Sequence, residues 1–214
     1  MDQMYRAQRH IYDFTRKYYL FGRDSLIRDL PVKAGESLCE VGCGTARNLI
    51  ILARRHPQAQ FFGIDASAEM LKTAGENVAR AHVPVQLKTA LADSYSWNET
   101  FGLEKPFDRL LFSYSLSMID DWRGAILHGL RQVRKGGTIH IVDFGNQEGL
   151  PPWFKRALGA WLDKFHVRFR PEIKPFFEDL QRKGVGRMAY RDHMRGYAYL
   201  LSFEVHQPDA ASSL

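Results

Sequence analysis

Cysteine is scarce in this chain, with two residues among 214, too few for a disulfide framework of the kind small secreted domains use. Long apolar runs are missing as well, and nothing approaches the roughly 18 consecutive apolar residues that a bilayer span needs. The opening "MDQMYRAQRH" is polar and lacks the apolar centre of a secretory leader. These absences together point to the cytoplasm. Cys39 and Cys43 have no Cys or His cluster around them, so no metal is expected and both should be packing residues. Internal repeats and low-complexity tracts are absent too; only the end, "QPDAASSL", reads as a loose tail.

What is present is an ordinary globular composition, 45% hydrophobic and 25% charged, long enough for one domain with a full core. The formal net charge is +6, and it is unevenly placed. Residues 31–150 carry 13 basic and 13 acidic groups, so the whole excess lies in the two flanks. Basic ends around a neutral middle suit an anionic partner such as a phospholipid surface, a nucleic acid or an acidic metabolite, against the plainer reading of a soluble basic surface.

Along the chain, Met4, Ala7, Ile11, Phe14, Tyr18 and Phe21 recur at spacings of three and four, the stripe of an amphipathic helix. A second stripe, Tyr5, Tyr12 and Tyr19, runs beside it. Asp24 is placed to cap a short helix through "SLIRDL", which Pro31 stops. The apolar runs "SLCEVG", "QFFGID", "VQLKTAL", "FDRLLFSY" and "GTIHIVDF" read as buried strands, separated by helical patterns near 46–56, 67–80 and 120–134. Within the last run His140 reads as a core histidine. A helix through "LPPWFKRALGAWLDKFH" places Trp153, Ala157, Leu158, Trp161, Leu162 and Phe165 on one face, and another follows from Pro171 to Lys183. "RMAYRDHM" and "RGYAYLLSF" predict a closing antiparallel hairpin. Strands alternating with helices predict an α/β, doubly wound, Rossmann-like sheet of seven strands, with N-terminal helices before it and the hairpin after it. Residues 1–30 are expected as a helical lid over an active site, 31–204 as the main domain and 205–214 as tail.

The stretch "LCEVGCGTARNL" turns from a strand into a helix through Gly42, Cys43 and Gly44, which lets backbone amides approach a ligand closely. A dinucleotide loop of the form G-x-G-x-x-G would require glycine where Arg47 stands. "EVGCGTA", with Glu40 two before the first glycine, instead resembles motif I of class I S-adenosylmethionine-dependent methyltransferases, with Ala46 in place of their usual third glycine. Asp65, closing "FFGID", resembles the carboxylate with which that family holds the ribose hydroxyls. Asp93, in "ALADSY" at the close of the third strand, resembles its adenine reader. Ser113 and Tyr114 end the fourth strand, and "VRKGGTIHIVDF" resembles the family's turn into the fifth. The resemblance implies S-adenosylmethionine as cofactor, S-adenosylhomocysteine as product, and cofactor contacts at Glu40, Gly42, Cys43, Gly44, Asp65, Ala66, Met70, Ala92, Asp93 and Ser113. Glu40 has a plainer alternative, as a cap for the helix that follows.

The N/D-P-P-Y signature of base-amine methylation is missing, the fourth strand ending "SYSLSMIDDW", and the flanking aromatics lie on helical stripes, so no nucleic acid is expected as acceptor. "RHIYDFTRKYYLFGRDSLI", "WLDKFHV" and "RGYAYL" resemble segments of the bacterial betaine-lipid enzymes that methylate diacylglyceryl-homoserine to its N,N,N-trimethyl form. That resemblance implies a lipid acceptor with an amine head group, contact with an anionic membrane surface at the inner face of the cytoplasmic membrane, and no metal. Tyr12 and Tyr19 are then the candidate catalytic residues, since tyrosine faces attract a forming quaternary ammonium. Arg16, Arg23 and Arg195 are candidates for the head-group carboxylate, and Tyr18, His166 and Tyr197 for further acceptor contact. Tyr18 lies on the main apolar stripe, where packing is the first expectation. Trp153, Phe154 and Trp161 amid the basic flank could meet the membrane, or be buried against the sheet.

Overall fold

The apolar runs do become strands; four of them alternate their side chains between two covered faces, whereas "VQLKTAL" forms a sheet-edge strand whose side chains are exposed or half-buried, contrary to the expected buried strand. A computed structural model describes residues 20–163, 167–208 and 210. In chain order it has α1 (Arg23–Asp29), β1 (Ser37–Val41), α2 (Arg47–Arg55), β2 (Gln60–Asp65), α3 (Ala68–Ala81), β3 (Val85–Thr89) and β4 (Phe107–Ser113). There follow α4 (Trp122–Gln132), β5 (Val133–Phe144), α5 (Pro152–Asp163), α6 (Ile173–Arg182), β6 (Gly186–His193) and β7 (Ala198–Val205). One sheet runs in the order β3-β2-β1-β4-β5-β7-β6; β1 to β5 pair in parallel, and β7 is antiparallel to both β5 and β6. This is the expected seven-stranded doubly wound sheet with its closing hairpin.

Period two along β1 divides the core. Leu38 joins Leu49 and Leu52 of α2 and Leu158 of α5 on one face, whereas Cys39 and Val41 join Ile126 of α4 and Phe177 of α6 on the other. Burying one such leucine or phenylalanine contributes about 1.5–3 kcal/mol, so both helical layers are bound to the sheet. The strand order reverses between β1 and β4, and the loops after those two strands border the crevice where ligands of such sheets sit.

Several local expectations are corrected. Asp24 does not cap α1; Gly22, at φ 85°, is the N-cap, and Asp24 accepts from Arg47 Nη1 at 2.8 Å. β5 starts at Val133 rather than at Gly137, by way of a register shift against β4. β3 ends at Thr89, leaving Asp93 in the loop beyond. Trp153 is 66% exposed, because the row that packs on the core is Phe154, Leu158 and Leu162, each four residues apart, and Trp153 lies one position off it. The hairpin loop takes Met194 to Tyr197, so Arg195 and Tyr197 precede β7. The tail is tethered at its start, where the amides of His206 and Gln207 both donate to the Val185 carbonyl. Cys39, Cys43 and His140 are buried; desolvation pushes both thiols well up, and desolvation with Arg109 nearby pushes His140 down to about 3. Of the helical lid, residues 1–19 lie outside the described residues.

Candidate active site

The turn after β1 is folded by backbone bonds. The amides of Gly42 and Cys43 both donate to the Ile64 carbonyl at 2.9 Å, which draws the turn against the end of β2. Gly42 has φ 74°, and a Cβ there would stand 2.7 Å from Ser115 Cβ, so the turn can pass the β4 loop only as glycine. Ala46 takes φ 62° as N-cap of α2. That left-handed conformation explains the preference for glycine there and costs alanine about 1 kcal/mol.

Asp65 joins the two strand ends. Its Oδ2 accepts from the Gly44 amide at 2.8 Å and its Oδ1 from the Ser67 amide at 2.9 Å. Two of about four lone-pair sites on the carboxylate are used, leaving room to accept ligand hydroxyls. Ser67 caps α3 by accepting from the Met70 amide.

Between these elements lies a cavity of about 380 Å³. Gly42, Gly44, Asp65, Ala66, Met70, Ala92 and Asp93 all line it, so seven of the ten residues expected at a cofactor meet on one surface. The other three stand behind it. Glu40 is 1% exposed and accepts from Asn48 Nδ2 at 2.6 Å, which fixes α2 to β1. Cys43 and Ser113 are buried beside the wall rather than on it. The residues after Ser113 complete that wall: Tyr114, Ser115, Met118, Ile119, Asp120 and Asp121. Tyr114 has φ 55° at the strand end, and its hydroxyl donates to the Phe21 carbonyl. Asp121 caps α4, accepting from the Gly124 amide at 2.9 Å.

Three contacts hold this wall from outside. Asp143, at the end of β5 and 2% exposed, accepts from the Ser117 amide at 3.0 Å through Oδ2 and from the Phe144 amide at 2.8 Å through Oδ1. Burial raises its carboxyl to about 6 despite those bonds and the Arg170 charge. From beyond α5, the Arg168 amide donates to the Ser117 carbonyl at 2.8 Å and Arg170 Nη2 to the Ile119 carbonyl at 2.9 Å.

The acceptor candidates are more scattered. Tyr197 is buried, edge-on to Phe21 with centroids 5.0 Å apart. Arg23 is buried in α1, and Arg195 is exposed in the hairpin loop. Tyr12, Arg16, Tyr18, Tyr19 and His166 lie outside the described residues. Of the β4 loop the sequence marks only Tyr114, by its place at the strand end; for the rest the only local signal is the small-residue run after Ser113.

The groups on the wall fit S-adenosylmethionine: a glycine cradle that a Cβ would obstruct, a carboxylate with free lone pairs, and an apolar floor at Met70 and Ala92. Among the described lining residues the charged ones are Asp65, Asp93, Asp120 and Asp121, with no cation on the wall itself, although Asp120 pairs with Arg168 at 3.4 Å and Arg170 at 3.9 Å behind it. Such a wall favours a cationic ligand.

A sequence family described as "Methyltransferase domain" matches residues 38–137. The chain is 29% identical over 147 residues to trans-aconitate 2-methyltransferase of Azoarcus sp. (strain BH72), covering 64% of this chain and 54% of that protein. It thus spans about half the length of that curated relative. Its fold is similar to that of the YcgJ protein from Bacillus subtilis, with a TM-score of 0.67 at 15% identity, covering 86% of this chain and 98% of that one. It is also similar to the Haemonchus contortus phosphoethanolamine N-methyltransferase 2 solved with S-adenosyl-L-methionine, at TM-score 0.63 and 17% identity over 85% of this chain and 51% of that one. Over residues 38–137 the chain is therefore similar to a methyltransferase domain, and its fold is similar to that of a solved methyltransferase that holds S-adenosyl-L-methionine.

Proposed function

We propose that the chain transfers methyl groups from S-adenosylmethionine to the amine of diacylglyceryl-homoserine, up to three times, giving the trimethylated betaine lipid. The observation that carries the reading is the charge of the cavity wall, where Asp65, Asp93 and Asp121, none of them in an ion pair among the described residues, suit a cationic cofactor beside an amine acceptor. When bound, the cofactor supplies a methyl carbon on a sulfonium, open to in-line displacement. The protein's part is to position. Asp65, already fixed by two amides, would receive the ribose hydroxyls; the Gly42–Gly44 turn leaves its backbone open to the methionine portion, and Asp93 would face the adenine. The acceptor nitrogen must be neutral to attack, and a pocket of low dielectric favours that form. Tyr12 and Tyr19 are proposed to face the growing ammonium, each worth about 0.5–2 kcal/mol. The lipid identity rests on the resemblance of the segments around Arg9–Ile27, Trp161–Val167 and Arg195–Leu200 to betaine-lipid enzymes.

A second reading takes an acid as acceptor, as the name of the trans-aconitate relative states for that protein. An anionic acceptor would face Asp121 across the wall, while Asp120 beside it is already paired with Arg168 and Arg170. The test is mass spectrometry of diacylglyceryl-homoserine, phosphatidylethanolamine and trans-aconitate, each incubated with the protein and S-adenosylmethionine. Stepwise gain of one to three methyl groups on the homoserine lipid alone supports the proposal. Methylation of trans-aconitate alone transfers it to the second reading.

A further inference from the structure

Away from the cavity, one stretch of surface joins exposed aromatic and aliphatic side chains to unpaired cations. Trp153 is 66% exposed, Met194 51% and Phe21 40%. They are parts of one surface. The Trp153 ring lies 5.7 Å from Phe154, Phe154 lies 6.4 Å from Tyr197, and Phe21 lies 5.0 Å from Tyr197. Met194 is in the same hairpin loop as Tyr197, whose amide donates to the Met194 carbonyl at 3.2 Å. Lys155 and Arg156 stand exposed on α5 in the same turn as Trp153, and Arg195 stands exposed beside Met194. Among the described residues none of these three cations makes an ion pair, although Arg47, Arg109 and Arg134 elsewhere each do. Against them the neighbouring segment contributes Glu148.

The loop is held in a costly shape. Met194 and Arg195 have φ 50° and 58°, a region that asparagine or glycine enters far more readily. Three bonds from the next segment keep it there, from the amides of Gly145, Gln147 and Gly149 to the carbonyls of Tyr197, Gly196 and Arg195. The strained loop therefore presents a methionine and an arginine outward where a turn-forming pair would fold with less strain.

We propose that Phe21, Trp153 and Met194, with Lys155, Arg156 and Arg195, form the surface by which the protein rests on an anionic lipid bilayer. Apolar side chains enter the head-group region while cations of one sign meet anionic lipids, the pattern of an interfacial contact. A second copy of the chain fits less well, since a twofold contact would set like charges against each other. The surface also lies beside the cavity. The wall residue Tyr114 donates to the Phe21 carbonyl and packs on Phe144, 4.8 Å away, which in turn lies 6.1 Å from Tyr197. The inference rests on the lipid-acceptor reading for its purpose, because a bilayer is where such an acceptor is found.

The test is co-sedimentation of the whole chain with vesicles of phosphatidylcholine, or of phosphatidylcholine mixed with phosphatidylglycerol, at low and high salt. Wild type is expected to sediment with the mixed vesicles and to be released by salt. Trp153→Ala and the double variant Lys155→Ala/Arg156→Ala should each weaken that binding about tenfold or more. The pair Arg182→Ala/Lys183→Ala at the C-terminal end of α6, which removes equal charge elsewhere, should bind as wild type does. The changed side chains are exposed, and unchanged thermal melts verify that the variants fold. Absence of wild-type binding, equal binding to neutral vesicles, or undiminished binding by the α5 variants would overturn the proposal. So would a dimer, seen by light scattering, that Trp153→Ala dissolves. Methylation of detergent-dispersed diacylglyceryl-homoserine, followed in parallel, reports on the acceptor separately from the docking surface.

Discussion

The Gly44 amide donates to Asp65 Oδ2 at 2.8 Å, so the turn after β1 and the end of β2 form one unit. Asp65→Ala removes that anchor together with the Ser67 bond, and with them the acceptor for ligand hydroxyls. Hydrogen bonds to charged groups contribute about 1.5–3 kcal/mol, so calorimetric titration should show S-adenosylhomocysteine binding weakened at least tenfold. Wild-type affinity in this variant would remove Asp65 from the site.

Gly42→Ala meets two obstacles, the positive φ and a Cβ placed 2.7 Å from Ser115 Cβ. The conformational part alone costs about 1–2 kcal/mol. At about 2–4 °C per kcal/mol for a chain of this size, the melting temperature should fall by several degrees, with cofactor affinity largely lost. In Gly42→Ala/Ser115→Gly the clash is relieved and the φ strain stays, so calorimetry should find part of the lost stability restored and part still missing.

Asp143 has its carboxyl raised to about 6 by burial, above the ordinary aspartate value it has when unfolded. The folded state therefore holds the proton more tightly, and stability falls as pH rises from about 4 through 6. Asp143→Asn lacks this loss. Denaturant unfolding should show wild type losing up to about 3 kcal/mol relative to the variant between pH 4 and pH 7, a bound set by the size of the shift. Parallel curves for the two proteins would refute the buried-proton account.

The Arg170 charge lowers the Asp143 carboxyl, while Arg170 Nη2 holds the Ile119 carbonyl at 2.9 Å. Arg170→Met should move the Asp143 titration above its wild-type midpoint, read by carbon NMR of the carboxyl. It should also loosen the cavity wall and weaken cofactor binding. An unmoved midpoint would show that Arg170 acts through its hydrogen bond alone.

The sheet was legible because strand runs such as "QFFGID" carry their apolar content locally, and an acid at such a strand end must find partners, as Asp65 does. The β4 loop was not. Its shape depends on Asp143, 26 residues from Ser117, and on Arg170, 51 residues from Ile119, and no short-range pattern encodes either contact. Periodicity likewise placed Trp153 on the apolar stripe of α5 without showing that the core covers only the row through Phe154, Leu158 and Leu162. The apolar pattern of "RGYAYLLSF" runs without a break through Arg195 into the loop, and the left-handed backbone that ends the strand there is visible only in three dimensions.

The unpaired aspartates of the cavity wall bear on what happens after each transfer. On the proposed reading the cofactor enters with a sulfonium charge and leaves as a neutral thioether, so the wall loses one of the charges it was holding. On that charge count the spent molecule would be the weaker guest, which fresh cofactor would displace. For an acceptor methylated three times, that asymmetry would work like a ratchet, advancing each exchange by the charge the previous step consumed.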